Sequence, residues 1–349
     1  LPGGDPSVDL RSARDLADAR ADLSPTSDLS LAPDLSVPAD LSMLDDLSIN
    51  PDLSVLRSWV QVAVPNDGYV QDISGWSNAI LLALSGRVAS FDGTTWTTLL
   101  DAASDPTTYQ GGFNSVYAAS PTEYYATIPL YARTDGQSLV FAYDGTSWTQ
   151  SLATPDNDIR LYRLESGEMA VVGQAIFSAP APGGTVHLLQ NGSWSSYLNA
   201  GASDFAGFWG TSPTNFYASG WASFLGEYSA TGWEIISSGT LDRYFFTWGT
   251  GNDVYTGGNG IFRYDGTTFT QVAPGGVEMY DVWGVDATHA YAVGCKVVAG
   301  DCAGTVLYYF DGMSWSMQPA PNGTAAQHIW GRSDTDLWLA VDGLLYHSE

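Results

Sequence analysis

Basic charge is what this chain has least of. Its 349 residues include 12 Lys and Arg together against 38 Asp and Glu, for a net charge of −26, and Lys296 is the lone lysine. A nucleic-acid partner is not expected, because such a binder needs a basic stripe to displace counterions from phosphates. Long apolar runs are missing too. No stretch of roughly eighteen apolar residues exists, so no membrane-spanning helix is expected. Cysteine is nearly absent, with Cys295 and Cys302 alone, and neither a CxxC pair nor a histidine cluster points to zinc or redox chemistry. These two, seven residues apart between strand-like runs, are expected to close a disulfide in an oxidising compartment. A Gly-rich phosphate loop and a nucleophile elbow are lacking as well.

What the chain does have is glycine, tryptophan and tyrosine in a repeating order. The repeat is clearest from Tyr280 to Trp315: Tyr-Asp-Val-Trp-Gly, then Ala-Tyr-Ala-Val-Gly, then Thr-Val-Leu-Tyr-Tyr-Phe-Asp-Gly-Met-Ser-Trp. Short alternating runs read as strands, Gly and Asp-Gly mark turns, and four strands in about forty residues match one blade of a β-propeller. Seven inner segments align: Val70 to Leu84, Phe113 to Thr127, Ile159 to Gly173, Phe205 to Gly220, Tyr244 to Gly258, Met279 to Gly294 and Gln327 to Val341. Four carry Trp-Gly at one place, at Trp209, Trp248, Trp283 and Trp330, where glycine suggests close approach and the indole is expected to pack between blades. Outer hairpins turn at Asp92-Gly93, Asp144-Gly145, Asn191-Gly192, Asp265-Gly266 and Asp311-Gly312, each just before an aromatic residue, with a degenerate Thr231-Gly232 in the fourth unit. The last unit lacks its fourth strand. Trp59, Val60, Val62 and Val64 supply a strand of that form at the other end, so ring closure against Leu344 and Tyr346 is expected, which removes an open edge. The expected fold is all-β: a seven-bladed β-propeller over residues 57–349, closed by its N-terminal outer strand.

Residues 1–56 form a different domain, an extended acidic tail carrying 11 Asp. From Asp22 onward Asp-Leu-Ser recurs every six residues, a multiple of two and of three that suits an extended or polyproline II chain. Pro25, Pro33, Pro38 and Pro51 push the same way. The residue after each Ser is apolar, two positions beyond the Leu, so both project from one face. Leu23, Leu29, Leu31, Leu35, Val37, Leu41, Met43, Leu47, Ile49, Leu53 and Val55 make up this face, which suits docking in a groove; a solvated low-complexity spacer is the alternative.

Over residues 57–349 the Trp-Gly and Tyr-Asp-Gly-x-x-Trp motifs resemble bacterial secreted β-propellers with WD40-like or kelch-like repeats. The tail is similar in composition to the Asp-Leu-Ser and Pro-rich segments of bacterial cell-surface lipoproteins. The resemblance implies an extracellular or cell-surface location, and the opening Leu suggests a processed N-terminus. Function does not follow from the fold. The ring arginines Arg87, Arg133, Arg160, Arg163, Arg243, Arg263 and Arg332 sit in no identifying motif, and the adjacent Asp-Gly departs from the sialidase Asp-box. His187, His289, His328 and His347 occupy inequivalent places with no ligand spacing. Calcium at Asp156-Asn157-Asp158 or Asp334-Thr335-Asp336 is conceivable but not indicated, since neither continues into an EF-hand-like loop. No catalytic residues, metal or cofactor are assigned. The expected function is a non-enzymatic extracellular structural or interaction protein, with the tail as tether or as connector between copies. A carbohydrate-binding propeller is the alternative, with Trp76, Trp221 and Trp338 as stacking candidates, and a secreted hydrolase stands third.

Overall fold

The computed structural model describes residues 57–348, apart from 66–67, 103–111, 134–135, 175–182, 200–201, 203, 238–241 and 287. The expected tail docking face, Leu23 to Val55, lies outside the described residues. Strand β1 (Trp59–Val62) leads. The first sheet follows as β2 (Val70–Trp76), β3 (Ala79–Leu84), β4 (Arg87–Phe91) and β5 (Trp96–Asp101), the second as β6 (Ser115–Ser120), β7 (Glu123–Ile128), β8 (Ser138–Tyr143) and β9 (Trp148–Thr154). The third holds β10 (Asn157–Arg163), β11 (Met169–Gln174), β12 (Gly184–Gln190) and β13 (Ser193–Asn199); the fourth, β14 (Gly207–Ser212), β15 (Asn215–Gly220), β16 (Phe224–Ser229) and β17 (Gly232–Ser237). A six-stranded sheet comes next: β18 (Phe246–Thr250), β19 (Asp253–Tyr264), β20 (Phe269–Asp286), β21 (His289–Val298), β22 (Asp301–Phe310) and β23 (Trp315–Gln318). Finally β24 (Ala326–Ser333), β25 (Asp336–Val341) and β26 (Leu344–Ser348) pair with β1 in the order β1-β26-β25-β24.

The six-stranded sheet holds two of the aligned inner segments, because β20 runs without a break from an outer strand (Phe269 to Ala273) into an inner one (Val277 onward). Within β19 the chain folds back, since the Arg263 guanidinium reaches the Asp253 carboxylate at 2.8 Å; Gly260, at φ +101°, lies in the turn. Among the described residues the seven inner strands β2, β6, β10, β14, β18, β20 and β24 neighbour one another in chain order, and β24 returns to β2. The first and last described strands pair with each other, with Leu344 outside the pairing and 44% exposed. Trp59 pairs with Ser348, Val60 with His347, Gln61 with Tyr346 and Val62 with Leu345. Val62 and Val64 pack on the cluster of Val70, Ile80 and Leu345, while Trp59 and Tyr346 pack on that of Tyr291, Ile329 and Leu339.

Inside the ring, each of the four inner tryptophans lies over the glycine of the next inner strand. A Cβ on Gly249 would come within 2.4 Å of the Trp209 ring, one on Gly284 within 2.4 Å of Trp248 Nε1, one on Gly331 within 2.8 Å of Trp283 and one on Gly75 within 2.5 Å of Trp330. The glycine of Trp-Gly is thus a seat for its neighbour's indole. Three outer tryptophans also hydrogen-bond across to a neighbouring blade. Trp96 Nε1 donates to Ala63 O at 3.0 Å, Trp148 Nε1 to Leu99 O at 3.0 Å, and Trp194 Nε1 to Ser151 Oγ at 3.0 Å, each reaching the preceding outer strand. Fully buried Phe113, Phe205, Phe216 and Phe224 fill the spaces between sheets, each contributing about 1.5–3 kcal/mol relative to exposure.

The outer Asp-Gly turns share one geometry. Asp144 Oδ1 accepts Thr146 N at 2.9 Å and Ser147 N at 2.8 Å, and Gly145 has φ +90°, a conformation that glycine adopts freely. Those bonds favour the charged carboxylate, so the pKa of Asp144 falls to about 2, with Thr146 Oγ1 the largest cause. Asp92, Asp265 and Asp311 are lowered for the same reason. A depressed carboxyl pKa contributes stability that is present above the ordinary value near 3.8 and is lost as pH falls through the folded value. Acid unfolding should therefore steepen between about pH 4 and pH 2, and Asp144→Asn, which keeps the turn without titrating, should flatten that limb in circular dichroism. Gly249→Ala should destabilise the ring by about 1–3 kcal/mol in denaturant titration through overpacking against Trp209. Gly86→Ala, with open space around its Cβ, is the control and should stay within about 0.5 kcal/mol.

Candidate functional site

Register places one residue of every inner strand at the same level. Ser74 pairs with Leu81, Tyr117 with Tyr125, Tyr162 with Ala170, Trp209 with Tyr217, Trp248 with Tyr255, Trp283 with Tyr291 and Trp330 with Trp338. All seven line a funnel of about 690 Å³ at one mouth of the ring. The inner tryptophans meet the next blade at its inner-strand glycine, and within their own blade Trp209 stacks on Tyr217 at 6.0 Å and Trp283 on Tyr291 at 6.4 Å. They also line the funnel, and in the sequence the recurrence of an aromatic residue at one register position in six of seven segments carries that signal.

Two residues earlier a polar waist spans five of the seven inner strands, at Asp72, Ser115, Arg160, Asp281 and His328. Asp72 Oδ2 accepts Ser115 Oγ at 2.7 Å and Val116 N at 2.9 Å; Ser115 Oγ accepts Leu161 N at 3.2 Å; Asp281 Oδ2 accepts Ile329 N at 3.1 Å. Side chains at this level thus staple β2 to β6, β6 to β10 and β20 to β24. His328 Nδ1 lies 3.5 Å from both Asp72 and Asp281, joining the first, sixth and seventh inner strands at the ring closure. Burial pushes the Asp72 carboxyl up, His328 opposes this, and Asp281 adds to it as a like charge. A raised carboxyl pKa marks stability that is full below pH 3.8 and declines as pH rises through the folded value.

Several other residues named from sequence have structural partners. Asp156 turns inward, accepting from Thr154 Oγ1 at 2.6 Å and Thr185 Oγ1 at 3.2 Å and meeting His187 Nε2 at 2.5 Å, so both its oxygens are engaged within the protein. His289 Nδ1 meets Asp286 at 3.0 Å in a turn. Asp336 binds Arg332 at 2.7 Å and His347 at 3.0 Å. Trp338 corrects an expectation. It is 3% exposed, stacks on His347 at 4.0 Å and donates to Asp336 at 3.0 Å, because β25 is covered on both faces; no ligand stacks there. Trp76 is 41% exposed but fronts only a crevice. Cys295 and Cys302 form the disulfide across β21 and β22, whose strands run on through the cysteines to a turn at Ala299 and Gly300. Glu278 approaches these sulfurs, but disulfide sulfurs are not thiolate ligands.

Trp221 is different. It is 46% exposed and opens on a pocket of about 430 Å³ lined by Arg243, Phe245, Asn259, Glu278 and Val297. These residues come from the ends of the strands opposite to the funnel. Trp221 starts a tight turn through Ala222 and Ser223, both at positive φ (62° and 51°), and the turn is clipped to the next connection by Ser223 N donating to Asp242 O at 2.8 Å. Beneath it Asp204, 1% exposed, accepts Trp221 N at 2.7 Å and Arg243 Nη2 at 2.9 Å. Burial raises the Asp204 pKa while Arg243 lowers it. The guanidinium lies 5.6 Å from the Trp221 ring centre and 5.2 Å from that of Phe245, so one buried acid fixes a cation between two aromatics.

At the waist, Asp281→Asn should move the titration of Asp72 toward acid by removing a like charge, read by carboxyl carbon-13 NMR across pH. An unmoved midpoint would show that the two do not sense one another.

No family model and no curated protein matches the sequence. Solved structures do. YCF48 from Cyanidioschyzon merolae is similar over 83% of this chain and 98% of its own at 17% identity and TM-score 0.56, and a second YCF48 structure is bound to D1 peptide. The extracellular domain of the putative hybrid two component system BT4673 from B. thetaiotaomicron is similar over 83% of this chain and 39% of its own, at 16% identity and TM-score 0.59. The WD40 beta propeller domain of Doa1 covers 84% of this chain and 97% of its own at 13% identity and TM-score 0.57; a streptogramin B lyase matches at 11% identity and TM-score 0.55. At such identities the likeness concerns architecture, and the chain has the β-propeller fold.

Proposed function

We propose that the chain is a non-enzymatic protein of the cell exterior whose seven-bladed ring is a rigid recognition unit. Residues 1–56 serve as its tether to a surface or its connector to further copies. The observation that carries this is a contrast in how side chains are used. The buried acids and histidines of the waist and of the Asp156 cluster are engaged by neighbouring sheets, whereas Trp221 stands exposed on a built pocket. Reactive groups tied into structure favour binding over turnover. Similar folds described as an extracellular domain and as a peptide complex are consistent with this reading, and the lyase among them makes turnover worth measuring. Carbohydrate is a second reading for the bound partner, favoured by the exposure of Trp221.

Electron microscopy of the full chain beside a chain beginning at Arg57 tests the tail. Chains or clusters lost on truncation are expected if residues 1–56 connect copies, and single rings in both samples if they tether. Steady turnover of chromogenic glycosides or esters by the full chain would overturn the non-enzymatic reading.

A further inference from the structure

The pocket at Trp221 has a construction that stability does not explain. A buried carboxylate paired with arginine is weak evidence for stabilisation, because desolvating both charges offsets their attraction. Here the pair does something else: Asp204 holds the backbone of Trp221 and the side chain of Arg243 at once, and Arg243 in turn braces the Trp221 and Phe245 rings. Gly220 lets this happen, since a Cβ there would meet Asp204 O at 2.1 Å. On the far wall Glu278 accepts Tyr280 Oη at 2.9 Å, and Tyr280 Oη lies 3.2 Å from Cys302 Sγ, so the disulfide hairpin positions the carboxylate. The same hairpin brings Val297 to the wall. Asn259 Oδ1 is occupied by Gly276 N at 3.0 Å, which orients its amide NH₂ as a donor.

We infer that this pocket binds a neutral saccharide, with the sugar's C–H face on Trp221 and its hydroxyls on Asn259 and Glu278. This deepens the reading of the ring as a binding unit and rests on it. Sugar hydroxyls both donate and accept, which matches a wall that offers an amide donor and a carboxylate acceptor beside an aromatic platform. Charge sets the class. Arg243 is already paired with Asp204, and Glu278 puts a carboxylate on the wall, so uronic and sialic acids are disfavoured.

The test is a glycan array with the full chain, followed by calorimetry with cellotriose, N-acetylated chitotriose and trigalacturonate. Retention of a neutral or N-acetylated glycan is expected, with trigalacturonate rejected. Trp221→Ala should weaken the retained glycan by about tenfold or more, equivalent to about 1.4 kcal/mol. Trp221→Phe should fall between, and Trp76→Ala should change nothing. Glycan binding that survives Trp221→Ala would place the site elsewhere and overturn the inference while leaving the ring a binding unit. A peptide array captured through Trp221 with no glycan retained would do the same. Turnover of the bound glycan would instead strike at the non-enzymatic reading itself.

Discussion

A sheet in this molecule is stable because its neighbour has a hollow for it. Trp209, Trp248, Trp283 and Trp330 each press a large flat ring onto a backbone with no side chain, a fit made at four of the seven junctions, the last where Trp330 meets Gly75 of the first sheet. Close approach of this kind exchanges water for dense dispersion contact at each step. It also makes the ring depend on its ends. If β1 did not pair with β26, the last sheet would present an unpaired edge, and the clusters under Val62, Val64, Trp59 and Tyr346 would lose one wall.

Charge is used in two distinct ways. At the waist, Asp72 and Asp281 substitute for missing ladder partners, accepting N–H groups from the adjacent inner strand, and Ser115 does the same without charge. Near Trp221, by contrast, the buried charge accepts from a turn and an arginine that belong to different sheets. The first arrangement is repeated and belongs to the architecture. The second occurs once among the described residues, and its effect is to fix an exposed ring.

Much of the architecture was legible because turn chemistry and the Trp-Gly seat are local. Asp92-Gly93 through Asp311-Gly312 declare their hairpins within a few residues, and the seven inner segments could be laid under one another for the same reason. The strand run from Phe269 to Asp286 was harder, since nothing in Ala-Pro-Gly-Gly says that hydrogen bonding continues across it. Trp338 and Trp221 show where sequence stops. Both fall outside the repeated tryptophan sets, yet one is covered by His347 and the other is open, a difference set by neighbours distant in sequence. The Asp204 clamp was equally invisible, because its three members lie 17 and 39 residues apart along the chain and meet only once two sheets are assembled.

The contacts of Arg57 carry a mechanical meaning. Arg57 donates to Tyr291 Oη at 2.8 Å and to the Asp334 carbonyl, and its guanidinium lies 4.8 Å from the Tyr291 ring centre. Any pull transmitted through the segment ahead of it therefore reaches β21 and the loop before β25 before it reaches the ladder between β1 and β26. The strand that completes the circle is shielded from load by a side chain that grips two other parts of the ring.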